Sequence, residues 1–207
     1  VTAEEIEDMR PRGGRLPRHA RRAQLLDSAL EVFAAQGYHA AAMDDIAARA
    51  GVSKPVLYQH FPGKLELYLA LLESACDAII ERTREALRST QDNKLRVAGT
   101  MAAFYDYVAA DTGAFRLVFE SDLTSEPAVR EQVERVTTEC AAAITEVIAE
   151  DTGLPAEAAH LLAVGLVGMG QVSARYWLND PGSLSREQAT ALVSGLAWRG
   201  IGGYPLH

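Results

Sequence analysis

The stretch Ile46-Ala-Ala-Arg-Ala-Gly-Val-Ser-Lys-Pro-Val-Leu-Tyr-Gln-His-Phe61 gathers residue types that can do chemistry together. Gly51 admits a left-handed backbone that residues with a β-carbon resist. Val52 supplies an apolar plug for the turn, and Ser53 is a favoured N-cap type. Leu57 and Phe61, four apart, fall on one helical face and point toward Ile46, Ala47 and Phe33. Lys54, Pro55, Val56, Tyr58, Gln59 and His60 are left outward or at the edge. Those groups suit a major groove: lysine can donate to guanine or to phosphate, glutamine can pair with adenine, and Pro55 or Val56 can touch a thymine methyl. The pattern is a helix-turn-helix whose second helix reads base edges.

The elements that must carry this surface are helical throughout. Pro17 suits a first helical turn, Leu26, Leu30 and Phe33 follow at helical spacing, and Gly37 is expected to end the helix. A short helix from Met43 to Ala50 and a third from Lys54 to His60 complete the head, and Phe61-Pro62-Gly63 breaks it from a long helix, Lys64 to Ser89. Further helices are expected at Lys94–Ala110, Ala114–Glu120, Glu126–Glu150, Pro155–Leu178 and Arg186–Arg199. Ser125 is a cap type before Glu126, and Ser185 with Gln188 fits a capping box. No alternation long enough for a strand occurs. The expected fold is all-α, with a flexible basic arm (1–16), a DNA-binding head (17–62) and a larger bundle (63–207).

Charge agrees with that division. The formal net charge of the chain is −8, yet Arg10 to Lys64 holds nine Lys/Arg against four Asp/Glu. A basic head can engage phosphate while an acidic body is repelled from the duplex. The arm Arg10-Pro-Arg-Gly-Gly-Arg-Leu-Pro-Arg18, with Arg15 and Arg18 at its end, can lie along a minor groove or serve as a solubilising tail.

Gly37-Tyr38, Asp45-Ile46-Ala47, Ala50-Gly51-Val52-Ser53, Leu57-Tyr58, His60-Phe61 and Lys64 together resemble the N-terminal signature of TetR-family regulators. The resemblance implies that Tyr58, His60 and Lys64 contact phosphates and that Lys54, Pro55, Val56 and Gln59 form the base-reading surface. Two positions depart from the pattern. Ala42 stands where the family usually has Ser or Thr, so the second helix lacks a cap typically worth ~1 kcal/mol. Pro55 replaces a common glycine and is tolerated in a first helical turn.

Beyond the head, apolar stripes exceed what a bare DNA reader needs. Leu72, Cys76 and Ile79 lie on the fourth helix. Val97, Met101, Phe104 and Val108, with Tyr105 beside them, lie on the fifth. Phe119 ends the sixth, and Val133, Val136, Cys140, Ile144 and Val147 mark the seventh. Such stripes serve as core or as the wall of an apolar ligand site. The segments Gly113–Glu120, Val164–Met169 and Ala174–Leu178 are similar to those of actinobacterial lipid-synthesis regulators within the family. That similarity implies a long-chain acyl-CoA effector. A ligand wedged between the fourth and seventh helices is expected to pivot the head near Lys64 and lower operator affinity. The alternative within the fold is a repressor of an efflux or catabolic gene that senses another hydrophobic molecule.

Helices eight and nine are expected to form a homodimer through Gly165, Gly168, Met169, Val172, Trp177, Leu192 and Leu196, matching an inverted-repeat operator in double-stranded DNA. The small-residue spacing could equally serve packing within the chain, and Trp177 and Trp198 could be core or interface. Cys76 and Cys140, set in apolar patterns, read as buried thiols of a cytoplasmic protein with no metal site. Val1–Arg10 is too acidic for a signal peptide, and no apolar run reaches a membrane span. The histidines, His19, His39, His60, His160 and His207, are scattered, and no nucleophile motif or phosphate loop appears. Neither an enzyme nor a cofactor is expected.

Overall fold

Hydrophobic spacing of three and four residues becomes helix wherever it was expected. A computed structural model describes residues 16–110, 112–120, 123, 125–180, 182 and 184–201. Among these it contains nine helices and no strand. They are α1 (Arg18–Ala40), α2 (Met43–Arg49), α3 (Lys54–His60), α4 (Lys64–Arg88), α5 (Asn93–Ala110), α6 (Thr112–Phe119), α7 (Pro127–Thr152), α8 (Ala156–Asn179) and α9 (Arg186–Ile201). Arg15 and the rest of the arm before Leu16 lie outside the described residues.

Several punctuation marks behave differently from expectation. Gly37 does adopt a left-handed φ of 74°, but helical hydrogen bonding resumes and α1 runs on to Ala40. Ser53 and Glu126, rather than Ser53 and Ser125, occupy the N-cap positions of α3 and α7, and neither caps through its side chain. At Ser53 the backbone carbonyl alone receives Val56 and Leu57 N–H, at 3.0 and 3.3 Å. The capping box of α9 is present: Gln188 Oε1 accepts from Ser185 N–H at 2.8 Å, and Gln188 N–H donates to Ser185 Oγ at 3.2 Å.

Helices α1–α3 close around Leu25, Ala29, Ile46 and Leu57, which have no exposure at all. The rings of Phe33, Tyr38 and Tyr68 then carry this core into the body, with centroids 5.1–5.9 Å apart. There α4 packs between α5 and α7, α8 lies on α7, and α9 lies on α5. Tyr68 Oη reaches Leu117 O of α6 at 3.5 Å, so α1, α4 and α6 meet at one joint.

Candidate nucleic-acid interface and apolar cavity

The turn between α2 and α3 explains why α3 stands proud of the head. Gly51, at φ 65°, lets its own N–H donate to Ala48 O (3.1 Å) and Val52 N–H donate to Ala47 O (3.0 Å). That paired closure is a Schellman motif, and a residue with a β-carbon would be strained at its left-handed position. Val52 tucks against the core, Leu57 and Phe61 point inward, and Lys54, Pro55, Tyr58 and Gln59 face solvent. Tyr58 is 48% exposed, so it does not serve as packing. Val56 and His60 are half-buried and border a groove with Leu16, Arg18, Arg21 and Gln59.

Electrostatics within the head add contacts that spacing alone does not reveal. Lys54 Nζ donates to Asp44 Oδ2 at 2.6 Å, a bond that raises its pKa and holds it against the start of α2. The His60 pKa is lowered, first by burial and then by the charges of Arg18, Arg22 and Arg21. Arg22 places its guanidinium 4.4 Å from the centre of the Phe61 ring.

Lys64 is placed otherwise than the phosphate role implies. Its ammonium donates to Tyr38 O and Ala41 O, each at 2.8 Å, and to His39 O at 3.3 Å. It also lies 4.5 Å from the Tyr38 ring centre. The three protons of the ammonium are thereby matched by carbonyls, and the start of α4 is clamped to the corner between α1 and α2.

In the body, α4, α5, α7 and α8 leave apolar space between them. It forms two lobes, of about 140 and 50 Å³, that share Thr100, Met101, Ile144 and Leu166. Of the candidate ligand residues, Ile79, Met101, Phe104, Phe119, Val136, Cys140 and Ile144 line it. Leu72, Cys76, Tyr105, Val108 and Val133 do not; they are core or packed on core, a correction to the expected wall. Tyr105 instead donates to Ser173 Oγ at 2.9 Å, and burial raises its pKa. Burial likewise pushes the Cys76 thiol up to about 12 and raises Cys140, and both cysteines are free.

Other lining residues were absent from the expected set. Val97, Leu87, Val147, Leu166 and Trp198 complete the wider lobe, which ends at Arg96 and Asp151. Arg96 is buried and engaged at every nitrogen: Nη1 pairs with Asp151 at 3.0 Å and Asn93 at 2.9 Å, Nε with Thr90 O at 2.9 Å, and Nη2 with Gln91 at 2.8 Å. Val97 and Val147 were on the apolar stripes; Leu166 and Trp198 carried no signal that separated wall from interface.

The outer face of α8 and α9 is the other unusual surface. Leu161 is 73% exposed, Tyr176 68%, Leu192 62% and Leu196 62%, with Val164 and Val172 between them. A β-carbon at Gly165 or Gly168 would meet nothing within 4 Å, so packing inside this chain does not require glycine at either position. Gly170 differs, since a β-carbon there would lie 3.6 Å from Met101 Sδ. Met169 is half-buried. Trp177 is tied inward: its ring centre lies 5.7 Å from that of Tyr105 with the rings tilted by 45°, and its Nε1 donates to Leu184 O at 3.1 Å. No group of three metal-ligand side chains, and no helix long and apolar enough to cross a membrane, occurs among the described residues.

A helix-turn-helix head fused to a larger helical bundle defines a class of DNA-binding regulators, and comparison with known proteins agrees. Residues 25–71 match the model of the bacterial regulatory proteins of the tetR family, and the chain belongs to that family. It is a transcriptional regulator rather than an enzyme. Over 99% of its length it is 48% identical to the transcriptional activator FasR of Mycolicibacterium smegmatis, covering 96% of that protein. A TetR-like regulator from Rhodococcus sp. RHA1 superposes with a TM-score of 0.70 at 27% identity, over 91% of this chain and all (100%) of that one. FadR of Bacillus subtilis, solved in complex with stearoyl-CoA, shares the fold with a TM-score of 0.70 at 20% identity, over 84% of this chain and 96% of its own.

Proposed function

We propose that this chain is a cytoplasmic, homodimeric operator-binding regulator of fatty-acid and lipid-synthesis genes, whose cavity takes the acyl chain of a long-chain acyl-CoA and thereby lowers operator affinity. Residues 17–62 act as the reader and 63–207 as the sensor and dimer module. The two-lobed apolar cavity carries the reading, and 30% identity over 88 residues to the fatty acid metabolism regulator protein of Bacillus subtilis supports the gene class. Stearoyl-CoA bound to a FadR of the same fold supports it further.

The two lobes, about 140 and 50 Å³, are smaller than the ~300 Å³ at which ligand sites usually begin. An acyl chain must therefore part the helices that wall the cavity. That requirement supplies the mechanism. A ligand shifts a conformational equilibrium only by its preference for one state, and here the preferred state is the one with α4 displaced. Because Lys64 clamps α4 to the corner of the head, displacement changes the distance between two heads that must lie ~34–36 Å apart. The same small volume favours a second reading, a compact hydrophobe sensed by a repressor of an efflux or catabolic gene.

Within the head, Lys54, Pro55, Val56 and Gln59 face bases, while Tyr58, His60, Arg18 and the Arg15 arm grip phosphate. Leu192, Leu196, Val172, Gly165 and Gly168 of α8 and α9 form the twofold contact, joined by Leu161, Val164 and Tyr176. Fluorescence anisotropy on operator DNA tests the effector. Saturating stearoyl-CoA is expected to lower affinity at least tenfold, and unchanged affinity at saturation rejects it. Mass spectrometry of ligand extracted from purified protein separates an acyl species from another hydrophobe. The double change Leu192→Glu, Leu196→Glu is expected to yield monomers in sedimentation and to weaken operator binding by roughly a hundredfold or more, since two tethered heads gain by effective concentration. Intact dimers in that variant would reject the interface.

A further inference from the structure

Hydroxyl groups in this bundle have a habit. Thr83, Thr138, Thr145 and Thr152 each donate to the carbonyl four residues back, at 3.0, 2.9, 2.7 and 2.6 Å. Ser173 and Ser194 do the same, each at 2.6 Å. Thr100, in the middle of α5, does not. Its Oγ1 is buried and finds no hydrogen-bond partner among the described residues. The residue lines both lobes of the cavity, so it stands at their junction.

Its polar neighbours around the cavity are satisfied. Arg96 and Asp151 hold each other at 3.0 Å, and Gln171 donates to Thr137 at 3.2 Å. A buried polar atom without a partner is unfavourable, and valine would fill the same space without that cost. Hydroxyl at this point is therefore informative about what occupies the cavity, because the wall is mostly apolar and its other polar side chains are already hydrogen-bonded.

We propose that the Thr100 hydroxyl reads a hydrogen-bonding oxygen carried by the effector at the junction of the two lobes. The cavity then selects a chain interrupted by one polar group over unbroken hydrocarbon. The inference rests on the cavity being the effector site. One chemistry, a lone oxygen between apolar stretches, has two sources. It is the thioester carbonyl of an acyl-CoA whose chain fills one lobe and whose thiol-side arm enters the other, or it is a hydroxyl partway along the chain itself.

Calorimetric titration of the full chain distinguishes them, with three probes: stearoyl-CoA, its S-octadecyl thioether analogue lacking the carbonyl, and a mid-chain hydroxystearoyl-CoA. With a carbonyl source, the wild-type protein prefers stearoyl-CoA to the thioether. With a chain source, it prefers the hydroxylated probe to stearoyl-CoA. Either preference is expected to be roughly five- to tenfold, the worth of one net hydrogen bond. Thr100→Val is expected to erase it and Thr100→Ser to keep it, while Thr100→Val melts no lower than wild type. Identical ranking of the probes by wild type and Thr100→Val overturns the role of the hydroxyl while leaving the cavity assignment standing. Failure of every probe to bind wild-type protein overturns both.

Discussion

The head and the body solve opposite packing problems. Around α1–α3 the core residues Leu25, Ala29, Ile46 and Leu57 are sealed, and the charged and amide groups stand outside. Between α4, α5, α7 and α8, by contrast, Val97, Ile144, Val147 and Leu166 are only half-buried because they border unfilled space. The head thus carries its outward polar groups on a sealed core, whereas the body encloses an apolar pocket. The mechanism proposed above, in which filling the body moves the head, draws on this asymmetry.

The largest test attacks the sealed side. Leu57→Ala removes a side chain with no exposure and is expected to cost about 2–5 kcal/mol. Operator binding should collapse while acyl-CoA binding persists at temperatures below the melting transition. Simultaneous loss of both, in calorimetry and anisotropy on one preparation, would show that the head and body fold as a single inseparable core joined through Phe33, Tyr38 and Tyr68.

The two regions also differed in how far they could be read from sequence, for a related reason. The reading surface is one local run, so Gly51, Val52, Leu57 and Tyr58 were placed by helical spacing and turn chemistry alone. Contacts that cross between helices were not. Nothing near Lys54 in sequence signals Asp44, and nothing near Lys64 signals the carbonyls of Tyr38 and Ala41. In the body, periodicity identified which faces of α4, α5 and α7 look inward but not the height at which they part. Ile79 and Cys140 line the pocket, while Cys76, on the same stripe as Ile79, and Val108, on the same stripe as Met101, are packed. The arm carrying Arg15 lies outside the described residues, so its reading is unchanged.

The next test attacks the hollow side. Ile144→Phe extends a ring into the space shared by both lobes and is expected to raise stability by about 1 kcal/mol, less any overpacking strain. Operator affinity should remain within twofold of wild type while the response to acyl-CoA disappears. A stabilised variant that still responds fully would mean that the unfilled space is not where the effector acts. A smaller effect belongs to Asp44→Asn. Removing the carboxylate that holds Lys54 frees that ammonium for DNA and deletes a negative charge beside it. Operator affinity is expected to rise roughly two- to fivefold at low salt and to converge with wild type at high salt, as exposed charge effects do. A fall in affinity would mean that the pair orients Lys54 rather than restrains it.

The smallest effect is the most diagnostic of how the head meets phosphate. In the free protein, burial and the neighbouring arginines 18, 22 and 21 lower the His60 pKa below its ordinary 6.5. The unfolded chain therefore binds a proton that the folded chain refuses between those two values. This contribution to stability is complete above about 6.5 and declines as pH falls through that window. Operator DNA reverses the local balance. Phosphates offset the arginine charges and favour protonated His60, so DNA binding takes up a proton and affinity rises as pH falls through the same range. The two pH dependences thus have opposite signs, which a generic effect of acid on the fold cannot produce. His60→Gln, neutral at every pH, should flatten both, with a change of two- to threefold in affinity across the window. If thermal melts flatten but the affinity profile keeps its slope, His60 is buried against the arginines without facing phosphate, and the grip passes to Tyr58 and Arg18.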